Sequence, residues 1–154
     1  MPLTFEIRET IAAPPTRVFE AFTDLDRMGE WMQGFIRNER LTPGALGKGS
    51  QFRQWRRMFG REASEVFEVS EFEPPDSFAL FVDGAKGSSR GGWFKIRHAM
   101  APAGAGTALT LSVECGGASG CLALLGKFVF GPMMKKSIAK DLEAFKRWVE
   151  RDAA

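Results

Sequence analysis

Residues 134–149 read Met134-Lys135-Lys136-Ser137-Ile138-Ala139-Lys140-Asp141-Leu142-Glu143-Ala144-Phe145-Lys146-Arg147-Trp148-Val149. Met134, Ile138, Leu142, Phe145 and Val149 follow one another at steps of four, four, three and four, which places them in one stripe along a helix. Lys136, Lys140, Glu143, Arg147 and Glu150 cover the rest of its surface. Pro132 suits the first turn of this helix, or a kink in a longer one. Such a stripe must be buried against something, and the upstream sequence supplies a sheet.

Leu3, Phe5 and Ile7 alternate with Thr4, Glu6 and Arg8, the pattern of a half-buried strand. After Pro14-Pro15, the residues Val18, Phe19 and Phe22 have helical spacing, and Asp24 can cap a second short helix carrying Leu25, Met28, Trp31 and Met32. Strands are then expected over residues 35–41, 50–58, 61–72, 78–82, 93–100 and 107–115, separated by Gly- and Pro-rich turns. Residues 83–92 read as a mobile Gly/Ser/Lys/Arg loop. Short turns between successive strands favour an antiparallel sheet with one apolar face to cover. The terminal helix is the element long enough to cover it. An α+β architecture of about seven strands curved around that helix follows, with room for an apolar space between them.

Composition narrows the chemistry. The 154 residues are 44% apolar, which with that length predicts one globular domain, residues 1–154. Fourteen Phe and no Tyr leave no phenol to act as acid, base or anchor. The single His98 excludes multi-histidine metal sites, and no cofactor motif is present, so neither metal nor cofactor is expected. A net charge of +2, from 21 basic and 19 acidic residues, is too balanced for a nucleic-acid surface. Cys115 and Cys121 have the spacing of neither a zinc knuckle nor a redox pair and read as reduced thiols. No apolar run is long enough to span a bilayer, and a cytoplasmic protein, a monomer or weak homodimer, is expected.

The stretches Ile11-Ala12-Ala13-Pro14-Pro15-Thr16-Arg17-Val18-Phe19 and Asp24-Leu25-Asp26-Arg27-Met28-Gly29-Glu30-Trp31 carry a resemblance, as do Val69-Ser70-Glu71-Phe72-Glu73-Pro74-Pro75 and Lys140-Asp141-Leu142-Glu143-Ala144-Phe145-Lys146. They resemble the SRPBCC superfamily, which includes START lipid-transfer domains, plant pathogenesis-related ligand binders and polyketide cyclase/dehydratase-like proteins. The resemblance covers essentially the whole chain. It implies a helix-grip fold and a cavity for an apolar or amphipathic small molecule, but no shared catalytic residues.

Strand parity sorts the residues that would face such a cavity. Phe52, Gln54, Arg56 and Met58 share one face, and Ala63, Glu65, Phe67 and Val69 share the corresponding face of the next strand. A tight turn at Phe59-Gly60 puts Arg56 beside Ala63 and Gln54 beside Glu65, which makes Arg56 and Glu65 diagonal neighbours. They form either a ligand anchor or an ion pair near the rim. Phe94, Ile96, His98 and Met100 share a face, as do Leu109, Leu111, Val113 and Cys115. Cys115 reads as a small buried hydrophobe, and His98 as a core residue or an acid/base group. Trp31, with Phe22 and Met32, suits the cavity mouth, and Met134 and Ile138 open the long helix. The ligand-contact candidates are Trp31, Phe52, Gln54, Arg56, Glu65, Phe67, Phe94, Ile96, His98, Leu111, Met134 and Ile138.

Three functions compete. The first is a carrier or sensor of a hydrophobic small molecule. The second is a polyketide cyclase/dehydratase-type enzyme, with His98 or Glu65 as base and Arg56 as oxyanion stabiliser. The third is a module docking to a membrane or protein through the apolar segment at residues 121–134. Other motifs fail. Residues 44–50 have phosphate-loop flavour with the wrong glycine spacing and lead into a strand. The basic-aromatic run at residues 52–57 is offset by Glu62, Glu65 and Glu68.

Overall fold

The computed structural model describes residues 2–58, 60–117 and 131–153. Strand β1 (Leu3–Ile11) leads into helix α1 (Pro15–Thr23) and a 3-10 turn (Leu25–Glu30). Then come β2 (Phe35–Arg40), β3 (Gln51–Met58), β4 (Arg61–Glu73), β5 (Ser77–Asp83), β6 (Trp93–Ala103) and β7 (Gly106–Gly116). Helix α2 spans Gly131–Ala153. All seven strands form one antiparallel sheet in the order β1-β7-β6-β5-β4-β3-β2. Strands β2 to β7 form a meander, and β1 returns to pair with the last strand. This is the helix-grip fold.

Pro14 and Pro15 start α1 where its backbone donors have no helical partner, and the helix buries Val18, Phe19, Ala21 and Phe22. The second helix expected up to Met32 is shorter than its apolar spacing suggests. Asp24 caps it by accepting from the Asp26 N–H at 3.2 Å, but six residues close only a 3-10 turn that ends at Glu30. Trp31 therefore lies just outside the turn.

Strand β4 contains a bulge. Val69 pairs with Leu80 and Glu71 with Ala79, so Ser70 is an extra residue with no cross-strand partner. The bulge switches the alternation at the point where the sequence requires it. Phe72 turns inward onto Phe19, with ring centroids 5.3 Å apart, and Glu71 turns outward to Lys95 and Arg97 at 3.3 and 3.0 Å.

The loop at residues 83–92, expected to be mobile, is tied to β4. The Ser88 N–H donates to the Ser64 carbonyl at 2.8 Å, the Ser88 hydroxyl accepts from the Ser64 N–H at 2.8 Å, and Ser89 donates twice to the Glu65 carboxylate. These bonds extend the sheet edge beyond the end of β5. The C-terminal end of α2 is tied in turn to the end of β1. Glu150 accepts from the Ala12 N–H at 2.7 Å, and Lys146 lies 3.3 Å from Glu9.

Most of the buried apolar residues among those described fall into two clusters. The larger joins α1, α2, β1 and β5–β7 through Phe22, Phe78, Leu111, Leu142 and Phe145. The smaller holds Leu25, Met28 and Phe52, with Phe35 and Phe67 packed against it. Trp31 and Leu80 touch both.

Candidate ligand cavity

A cavity of about 150 Å³ lies where the two clusters part. Phe52, Gln54, Arg56, Phe67, Phe78, Leu80, Phe94, Ile96, His98 and Leu111 form its sheet wall, and Ile138, Asp141 and Leu142 of α2 face them. Phe22, Met28, Trp31 and Met32 are the other described residues of the lining.

Most of this wall is apolar because β3 and β6 point alternate residues inward. The polar exceptions differ in how they are held. Gln54 is 5% exposed and donates to Asn38 Oδ1 at 3.1 Å, so its amide is committed to the neighbouring strand. Arg56 reaches from β3 to α2, where its guanidinium sits 2.8 Å from Asp141, and it also donates to the Gln33 carbonyl at 2.7 Å. Asp141 accepts from the Gln33 N–H at 3.2 Å. Arg56, Asp141 and the Gln33 backbone thus fasten sheet, helix and the segment after the 3-10 turn to one another.

His98 is 6% exposed, stacked on Phe78 with centroids 4.2 Å apart and met edge-on by Phe22 at 4.9 Å. Burial among these rings pushes its pKa down to about 3, so the imidazole is neutral at physiological pH. Trp31 packs edge-on against Phe22 and Phe145. Among the described residues, three polar atoms of the cavity lining have no hydrogen-bond partner: Trp31 Nε1, Arg56 Nε and His98 Nδ1.

Ten of the twelve sequence-predicted contact residues line the cavity; Glu65 and Met134 do not. Gln54 pairs with Glu65 and Arg56 with Ala63, the expected register, yet Arg56 and Glu65 form no ion pair. Arg56 turns to Asp141, and Glu65 turns under the loop to Ser89. Met134 packs against the larger core cluster, and the helix meets the cavity one turn later, at Ile138 and Leu142. Sequence reasoning misses Asp141 because it stands on the polar side of the stripe that defines the helix. Its position directly before Leu142 is the available signal.

Cys115 is half-buried, and burial pushes its thiol pKa up, away from a reactive thiolate. Cys121 and the apolar stretch at residues 121–130 lie outside the described residues. Among the described residues no group of His, Cys, Asp and Glu is placed to hold a metal, and no helix is long and apolar enough to cross a membrane.

Sequence comparison matches residues 2–150 to the family described as polyketide cyclase / dehydrase and lipid transport. The chain belongs to this family. As a polyketide cyclase/dehydrase and lipid transport family member it falls within the SRPBCC superfamily. Solved structures similar to it include the ZhuI aromatase/cyclase from Streptomyces sp. R1128, at 16% identity and a TM-score of 0.79, covering 100% of this chain and 97% of that one. TTHA0849 from Thermus thermophilus is 16% identical with a TM-score of 0.79, covering 99% of this chain and 100% of that one. Ara h 8.0201 is 17% identical with a TM-score of 0.78, covering 97% and 98%. At these identities the likeness establishes the fold alone. No curated protein matches the chain by sequence.

Proposed function

We propose that this family member holds an apolar or amphipathic small molecule (a lipid, polyketide or aromatic metabolite) between sheet and α2, as a carrier or sensor. The observation that carries this reading is the cavity of about 150 Å³ lined by Phe, Leu, Ile, Met and Trp side chains with a small polar minority. Burial of ligand surface at roughly 25 cal/mol per Å² supplies the affinity. The reading takes the chain to be one cytoplasmic domain working as a monomer or weak homodimer.

Titration with a panel of fatty acids, flavonoids, simple aromatic compounds and a fluorescent hydrophobic probe tests it. Saturable binding of at least one class is expected. Failure of every class to saturate overturns the reading.

The family description and the aromatase/cyclase neighbour keep an enzymatic reading in view. The site chemistry weighs against it. General-base enolisation near neutral pH needs a base of matching strength, whereas His98 has a pKa of about 3. Glu65, the other candidate base, is bonded to Ser89 away from the lining. Turnover of a poly-β-ketone analogue that disappears in His98→Ala would displace the binding reading.

A further inference from the structure

Buried polar atoms are nearly always hydrogen-bonded, so three unpartnered ones on residues lining a single cavity require an explanation. Trp31 Nε1 and Arg56 Nε each carry a hydrogen that can only be donated. A ligand that satisfies them must bring an acceptor. Its charge is constrained by Asp141, whose carboxylate already neutralises the Arg56 guanidinium at 2.8 Å. An anionic ligand would place a second negative charge beside that carboxylate, within apolar walls and next to a neutral imidazole. A neutral oxygen has no such cost.

Size supplies the other constraint. An engineered apolar cavity of about 150 Å³ in another protein binds benzene, whereas pockets for drug-sized ligands run from roughly 300 to 1,000 Å³. The space here matches the first case. One ring fills it.

We propose that the cavity selects a neutral, single-ring-sized molecule bearing a carbonyl oxygen, the ring against Phe22, Phe52 and Leu111 and the oxygen accepting from Trp31 or Arg56. This rests on the cavity being a ligand site, and it names the ligand's chemistry. A carbonyl suits the site because its two lone pairs meet donors without adding a donor that needs its own partner.

Calorimetric titration with acetophenone, ethylbenzene and benzoate tests the proposal, since the three share a ring and differ in acceptor and charge. Acetophenone is expected to bind about tenfold more tightly than ethylbenzene, the worth of one buried hydrogen bond, and benzoate more weakly than both. Trp31→Phe keeps an aromatic ring and removes one donor, so it should shrink the acetophenone-to-ethylbenzene ratio several-fold. Equal affinities for acetophenone and ethylbenzene would overturn the acceptor assignment while leaving the cavity a hydrophobic ligand site. Tightest binding of benzoate would overturn the neutrality assignment. If none of the three binds while a long-chain fatty acid or flavonoid does, the size assignment fails and the broader binding reading stands. If nothing at all binds, both fail.

Discussion

His98 gives the most direct residue-scale prediction, because a buried neutral imidazole links folding to pH. Its pKa moves from an ordinary 6.5 to about 3 on burial. Between those values the unfolded chain takes up a proton that the native state refuses. The stability associated with the neutral ring is therefore complete above pH 6.5 and falls as the pH drops toward 3. From pH 6.5 to about pH 5 the loss is roughly 1.6 kcal/mol, in a window where carboxylates contribute little. Urea unfolding at both pH values should show this loss in the parent and its absence in His98→Phe, and an equal loss in both would refute it. Arg56 and Asp141 make a second test. Asp141→Leu leaves the guanidinium without its carboxylate in a mostly buried position and should cost about 2 kcal/mol, whereas adding Arg56→Met should recover most of that. Denaturant midpoints for the two singles and the double form the cycle; additive effects would mean that the pair does not couple. These two sites also mark how far the site was legible. Alternation within β3 and β6 turns Gln54, Arg56 and His98 inward, and a period of two needs no tertiary information. The partner of Arg56 comes from a helix 85 residues away in sequence, and no local pattern relates the two positions.

Among the elements, β4 shows what local patterning can and cannot specify. The 3.6-residue stripe of α2 and the alternation of β1, β3, β6 and β7 are readable because each repeats a single period over many residues. A bulge breaks the period, and nothing in Val69-Ser70-Glu71 announces one except the need to bury Phe72 and expose Glu71. The same consideration predicts how β4 responds to deletions. Removing Ser70 takes out the extra residue, so Val69 and Phe72 still face the core and Glu71 still meets Lys95 and Arg97. Removing Glu68 also takes out one residue, but it sets Val69 opposite Phe81 and Ser70 opposite Leu80, which turns the buried valine outward and the serine inward. The Ser70 deletion should unfold within about 2 kcal/mol of the parent, and the Glu68 deletion should cost roughly 2 kcal/mol more, for the exposed valine and the buried serine, as followed by circular dichroism in urea. Comparable damage from both would show that the bulge is needed for more than parity. The order of the loop at residues 83–92 is hidden from the sequence for a related reason. Its Gly/Ser composition signals turns, whereas its order comes from main-chain and hydroxyl bonds to Ser64 and Glu65 on a distant strand.

At the scale of the whole molecule, the sheet and α2 are drawn together at two places, with Lys146 and Glu150 at the end of β1 and Arg56 with Asp141 across from β3. Between these ties the two core clusters stay apart around the cavity. A void in an otherwise packed interior forfeits stability at about 24 cal/mol per Å³, so a fold free of other demands would close it. Ile138 lies on α2 at the cavity wall, where a larger side chain can extend into the space without moving the strands. Ile138→Phe, larger by roughly 25 Å³, should therefore raise the stability of the ligand-free protein by roughly 0.5 kcal/mol. The same change should weaken the binding of single-ring compounds several-fold, because it occupies the volume they need. The parent protein should also gain thermal stability from a ligand in proportion to its saturation, and the variant should gain less. Melting curves with and without acetophenone read both effects in one experiment. A variant that is more stable and still binds as tightly as the parent would place the ligand elsewhere and make the cavity an incidental packing defect. A variant that is more stable and binds poorly would identify the void as the feature for which stability has been forgone.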